Sequence, residues 1–569
     1  MVSSPRRRGT AGRRTPDAPT SMSLSLGRGQ ARVDERLRRW ASAGFSRRLW
    51  SKDAALWGPG PRPGIRDRLG WLDLPERMAS RLAGFRSFAE EVRAEDFKHA
   101  LLLGMGGSSL APEMFQKVFG AAAGSPELIV LDSTHPAAVS AVERRIDLER
   151  TLVIVSSKSG TTVEPLSLFR YFWRRIAGRS ASPGRRFVAI TDPGTPLEGL
   201  AADRGFRRVF EAASDVGGRF SALTEFGLVP ASLIGLDVVR LVASAAAEAR
   251  ADSAQVAEED APGLRLGAVL GEMAATSDKL TFLVPLRVRS FPDWLEQLVA
   301  ESTGKDGKGI VPVAGEPALP VGRYGRDRIF VSLAFDSGPD PEVERLAASL
   351  ERAGHPIVRT RLADPYALGG EIFRWEVAVA ATGSLLGVNP FDQPDVELAK
   401  ELARRALASR PAPEARAPGR DESVFAGNPS ALQTALDAWL ARIRPKDYLA
   451  IQAYLAPDEG TDLALRNLRL ALSMRTGLAT TLGYGPRFLH STGQLHKGGP
   501  DEACVLQLVD EPAADIEVPE TDLTLGALVR AQALGDYQAL RQRGRRVLRV
   551  NLEKDPGGGI GLITKLAGA

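Results

Sequence analysis

The chain has 569 residues, 44% of them apolar and 25% charged, with 74 Lys and Arg against 69 Asp and Glu. That length allows two or three domains, and the absence of any apolar run of about 18 residues argues against a membrane-spanning helix. A pI near 9.3 suggests nucleic acid until the charge is located: Arg6, Arg7, Arg8, Arg13 and Arg14 against Asp17 supply +4 of the chain's +5, so the remainder is nearly neutral.

Residues 1–32 are a basic leader rich in Pro, Gly, Ser and Thr, unable to bury a core and expected to be disordered. No apolar segment follows its arginines, so it is neither a secretory nor a twin-arginine signal, and Met22 is an alternative start. Residues 33–96 carry Trp40, Leu49, Trp50, Leu56, Trp57 and Trp71 in a helical pattern broken by GPGPRPG, which predicts a helical cap with an aromatic packing face.

Over 97–245, short apolar runs alternate with helix-length segments: HALLLG (99–104), ELIVLD (127–132), TLVIVSS (151–157), RFVAITD (186–192) and RRVFE (207–211). This predicts a doubly wound α/β domain, a parallel sheet with helices on both faces. A second such domain is expected over 246–408, from KLTFLVP (279–285), RIFVSLAF (328–335) and PIVRTRL (356–362). Residues 409–426, rich in Pro, Ala and charge, read as a linker or surface loop. Residues 427–569 predict a C-terminal α/β extension with strands at DYLAIQAYL (447–455), ATTLGYG (479–485), ACVLQLVD (503–510) and RRVLRVNLE (545–553), either a separate lobe or an extension of the second sheet. The single cysteine, Cys504, rules out an internal disulfide and suits a cytoplasmic protein. The five histidines are scattered without zinc spacing, so no metal is implied, and no cofactor is expected.

Ligands of open parallel sheets bind beyond the carboxyl ends of strands, near helix N-termini. Two motifs stand there in the first sheet: GMGGSSLAPEMF (104–115) and SSKSGTTVEP (156–165). The first lacks the G-x-G-x-x-G of a dinucleotide site, although Asp132 could mimic the ribose acid, and no P-loop is present. The hydroxyls of Ser156, Ser157, Ser159, Thr161 and Thr162 exceed what a helix cap needs and suit the several hydrogen bonds of a phosphate monoester.

This combination resembles the sugar isomerase family of phosphosugar-binding domains. DVGGRFS (215–221), LEQLVAESTGKDGKG (295–309) and NPFDQPDVELAK (389–400) follow in the order found in the glucose-6-phosphate isomerases of that family. LHSTGQLHKGGP (489–500) and TLGALVRAQALGDYQALR (524–541) look like the bacterial form often fused behind a transaldolase. The stretch ahead of the first sheet is too short for a transaldolase barrel of about 250 residues, so such a partner would be a separate polypeptide.

The resemblance implies interconversion of D-glucose 6-phosphate and D-fructose 6-phosphate through a cis-enediolate, in glycolysis and gluconeogenesis, by a metal-independent homodimer. Glu301 matches the family's proton-shuttling base, Arg219 the cation that stabilises the enediolate, and Lys400 the lysine of ring opening. Ser157, Lys158, Ser159 and Thr162 match the phosphate shell, with Gly107 and Ser108 approaching from the other turn; Gln297 and Gln393 match residues that position the sugar. The family's ring-opening histidine, contributed there by the second subunit, aligns with Ile372 in GGEIFRWEVA (369–378). His490 and His496 are the available substitutes, and Glu164 is near the site without a role. Two further readings stay open: a dual isomerase that also accepts mannose 6-phosphate, and a noncatalytic phosphosugar-binding regulator, which would need Ser157–Thr162 but not Glu301, Arg219 and Lys400 together.

Overall fold

The computed structural model describes residues 21–58, 64–408 and 423–568. The first 20 residues of the expected leader and residues 409–422 of the expected linker lie outside the described residues. Residues 21–32, however, are part of the fold. Strand β1 (Ser21–Ser25) pairs antiparallel with Ile357–Arg361 at the edge of the second sheet, and a helix begins at Gln30. Met22 and Leu24 pack on the core and Leu26 is buried, a period-two pattern that the neighbouring arginines mask in the composition.

The first sheet holds β2 (His99–Leu103), β3 (Glu127–Leu131), β4 (Thr151–Ser156), β5 (Phe187–Thr191) and β6 (Arg208–Glu211), all parallel in the order β3-β2-β4-β5-β6. Every residue of β4 is buried, as continuous apolar runs require when helices cover both faces. The chain runs from β2 outward to β3 and then crosses back to β4. That reversal opens a crevice beyond the paired ends of β2 and β4, where GMGGSS and SSKSGTT both begin.

The second sheet adds β7 (Lys279–Leu283), β8 (Val311–Val313), β9 (Arg328–Phe335) and β10 (Ile357–Leu362), in the order β1-β10-β9-β7-β8. The cap and the first two sheets share one core: Trp71 stacks on Phe220 at 5.2 Å, and the Trp57 Nε1 donates to the Ala380 carbonyl at 2.8 Å.

The C-terminal segment is a lobe with its own sheet: β11 (Val424–Phe425), β12 (Tyr448–Tyr454), β13 (Ala479–Tyr484), β14 (Ala503–Val509) and β15 (Arg546–Asn551), all parallel in the order β11-β15-β14-β12-β13. Val424 and Phe425, assigned by composition to the linker, pair with β15. The lobe has a separate core around Leu449, Leu506 and Val550. Beyond β12 and β14, its own crevice is filled by Phe488, Tyr454, Val509 and Val529, so this third sheet offers an apolar plug where the first offers a site. Among the described residues no helix is long and apolar enough to cross a membrane.

Candidate active site

The two glycine-rich turns of the first sheet are held against the rest of the site by close backbone contact. A Cβ on Gly107 would lie 2.0 Å from the Gly218 carbonyl oxygen, so only glycine lets the Gly106–Ser108 turn touch the turn that carries Arg219. Gly106 has a left-handed φ of 56°, and a Cβ there would meet the Gln297 amide and the His490 carbonyl. Ser108 is buried, and its carbonyl accepts from Ser156 Oγ at 3.1 Å.

After β4 the chain turns at Gly160, φ 65°, into the helix Val163–Ala177. Thr162 is the N-cap, yet its hydroxyl makes no cap hydrogen bond; it accepts from Ser157 Oγ at 3.1 Å, while Ser159 and Thr161 pair at 2.9 Å. The hydroxyls are thus not spent on capping, and a 15-residue helix, with the positive end of its dipole, begins directly after them. Lys158 turns away to Asp192 at 2.5 Å.

Opposite this loop is a buried, hydrogen-bonded cluster. Gln297 and Glu301 project one turn apart from the helix Phe291–Thr303, and the Gln297 Nε2 donates to Glu301 Oε2 at 3.1 Å. The Arg219 Nε lies 3.3 Å from the same carboxylate oxygen. Arg219 is only 4% exposed and Glu301 7%. The other guanidinium nitrogens donate to the Pro390 carbonyl at 3.0 Å, the Asp392 carbonyl at 3.1 Å and Gln393 Oε1 at 2.5 Å. Two motifs 80 or more positions apart in the sequence therefore fix one guanidinium against one carboxylate.

Lys400 is not in that cluster. It is exposed on the helix Val396–Ala408, paired with Glu397 at 2.8 Å. It lines a cavity of about 600 Å³ shared with Ser159, Thr161, Thr162, Glu164 and His490. One side chain joins the two groups: the Gln297 amide that reaches Glu301 also donates to the His490 carbonyl at 2.8 Å.

The histidines separate cleanly. His490 Nε2 is 2.9 Å from Glu164 Oε1, which also accepts from Gln532 Nε2 at 2.7 Å. Burial would raise the Glu164 carboxyl, but the charge of His490 and these hydrogen bonds outweigh it and hold the group below its ordinary value. His496 is buried against Gln452, its Nδ1 at 3.1 Å from the amide, and burial with the nearby Lys497 and Arg545 charges pushes its pKa down to about 3. It does not line the cavity. Ile372 is a fully buried core residue of the helix Leu368–Leu386, not a cavity residue. The C-terminal lobe is anchored beside the site by Arg487, which pairs with Glu113 and lies 3.3 Å from Asp132. Asp132 also accepts from Ser109 at 3.1 Å, so it is engaged in this anchor rather than free for a ribose. Glu164 and Gln532 lie in the motifs SSKSGTTVEP and TLGALVRAQALGDYQALR, but sequence reasoning gave Glu164 no role and did not single out Gln532.

Comparison with known proteins identifies the family. A family model described as phosphoglucose isomerase matches residues 74–311. The glucose-6-phosphate isomerase of Symbiobacterium thermophilum is 32% identical over 400 residues, 61% of this chain and 88% of that protein. That of Thermus thermophilus is 31% identical over 383 residues, 60% of this chain and 90% of the relative. The crystal structure of a glucose-6-phosphate isomerase from Chlamydia trachomatis superposes with a TM-score of 0.54 at 21% identity, covering 70% of this chain and 90% of that one, a likeness of fold. With identity of this level sustained over nearly nine-tenths of a relative's length, the chain belongs to the phosphoglucose isomerase family.

Proposed function

We propose that the reaction of this isomerase, the interconversion of D-glucose 6-phosphate and D-fructose 6-phosphate, runs on Glu301 as base, Arg219 as the stabilising cation, and Lys400 with His490 as the ring-opening pair. The phosphate is held by Ser157, Ser159, Thr162 and the helix N-terminus, with Gly107 and Ser108 against the sugar; Lys158, tied to Asp192, contributes through its backbone. His490 is oriented at Nε2 by Glu164, which leaves Nδ1 to take the proton of the anomeric hydroxyl while the Lys400 ammonium passes a proton to the ring oxygen. Glu301 then removes the proton beside the carbonyl and returns it to the adjacent carbon. Charge developing on the enediolate oxygens is met by a guanidinium already fixed by three acceptors, so little reorganisation accompanies the step. Gln297 and Gln393 hold base and cation in register.

The observation that carries this reading is the buried Arg219–Glu301 contact at 3.3 Å, because a sugar-binding regulator has no use for it. Supplying fructose 6-phosphate and following glucose 6-phosphate through a coupled dehydrogenase tests it: silence from the wild-type protein ends the isomerase reading, and activity retained in Glu301→Gln moves the base elsewhere. Formation of mannose 6-phosphate in the same mixture would extend the substrate range. A homodimer is one partner state the family resemblance suggests. A transaldolase is the other partner this resemblance suggests.

A further inference from the structure

Lys305 takes no part in the chemistry above, yet it is 2% exposed, one turn beyond Glu301. Burying an ammonium group is costly unless it is paired, and its partners are informative. Asp306 and Gly307, with φ of 53° and 72°, turn the chain sharply after the helix, and the Lys305 side chain reaches back to the loop 389–393. There its Nζ donates to the Asn389 carbonyl and lies 2.8 Å from Asp392 Oδ1. That loop is braced internally, Asn389 Nδ2 donating to Asp392 Oδ2 at 2.9 Å and accepting at Oδ1 from the Phe391 N–H at 3.0 Å. Its remaining acceptors, the Pro390 and Asp392 carbonyls and Gln393, are the ones that fix Arg219.

We propose that Lys305 is a positioning residue for the isomerisation, its cation clamping the 389–393 loop so that the loop's carbonyls hold Arg219 against Glu301. This rests on the roles given to Arg219 and Glu301. The charged groups facing Lys305 are Arg219 from the Gly218–Phe220 turn, Asp392 from the loop and Glu301 from its own helix. Burial and the like charge of Arg219 outweigh the two carboxylates and bring the ammonium down to about 8. The clamp is therefore charged at neutral pH and released as the pH rises through about 8.

The test is the pH profile of kcat for three proteins. In the wild type kcat falls above about pH 8. Lys305→Met is expected to lower kcat at pH 7 by about 10²-fold, with KM changed little because the phosphate is held elsewhere, and to lack the alkaline limb. Asp392→Asn removes the ammonium's carboxylate partner and shifts the limb down by about one pH unit; its side chain is 49% exposed, so this variant keeps the test decisive if Lys305→Met does not fold. A limb unmoved in Asp392→Asn, a limb persisting in Lys305→Met, or a Lys305→Met kcat within about twofold of wild type would each overturn the proposal. An Arg219→Ala variant with the kcat of the wild type would instead overturn the reading on which it rests.

Discussion

The two halves of the site are built on opposite principles. Around Glu301 and Arg219 the side chains are buried, Arg219 held by three hydrogen bonds and Glu301 by the Gln297 amide and the Arg219 guanidinium. Around Lys400 and the hydroxyl loop, Lys400, Ser159 and Thr161 are exposed and Thr162 half-exposed above a buried Ser157, and the hydroxyls bond mainly to one another. The first half is over-determined and suits a step whose transition state tolerates little displacement. The second is adaptable, as needed where a mobile ring and its phosphate must enter, open and leave.

Mutations can break this contrast. The largest effect is expected from Glu301→Gln, a loss of about 10⁴-fold in kcat without loss of binding, read in the coupled assay. Arg219→Ala is expected to lose about 10²–10³-fold, again in kcat, and Arg219→Lys should recover little because an ammonium cannot reach all three loop acceptors. His490→Ala should slow fructose 6-phosphate by about 10²-fold while sparing 5-deoxyfructose 6-phosphate, which cannot close the furanose ring; exchange of the C1 proton in deuterated water, followed by NMR, measures both. Equal slowing of the two would place His490 outside ring opening. Ser157→Ala, in the adaptable half, should raise KM by about tenfold, one hydrogen bond to a charged group, and leave kcat nearly intact.

The smallest effect sharpens the role of the second histidine. The unfolded chain protonates His496 near 6.5, whereas the native ring resists protonation until about 3. The unfolded state therefore binds more protons across that window, and the stability present above 6.5 is lost as the pH falls through it. His496→Gln should flatten this acid loss in chemical denaturation curves without altering the kcat profile.

Much of the fold was legible because buried parallel strands are apolar end to end: HALLL, TLVIVS and FVAIT announce themselves. Val311–Val313 was missed because three residues carry no periodicity, and Ser21–Ser25 because its two apolar side chains are outnumbered by neighbouring charge. Nor could sequence say whether the C-terminal strands joined the second sheet, since pairing partners in parallel sheets are not neighbours in the chain. In the site, motif matches named Glu301, Arg219 and Lys400 together, whereas the structure brings Glu301 and Arg219 into one cluster and places Lys400 in another. His490 and His496, six positions apart in one motif, differ only in what surrounds them: a buried carboxylate for one, an amide and two cations for the other. Ile372, where the alignment suggested a lost histidine, is simply core.

The Gln297 amide has a consequence for what escapes from the enzyme. Its two N–H groups go to Glu301 and to the backbone of His490, so a shift of the C-terminal lobe disturbs the base and the ring opener together. An open-chain aldehyde is reactive towards amines and should be generated only when it can be consumed at once. One shared side chain ties the two proposed roles to the same contact, so displacing the lobe would take ring opening and the base away together.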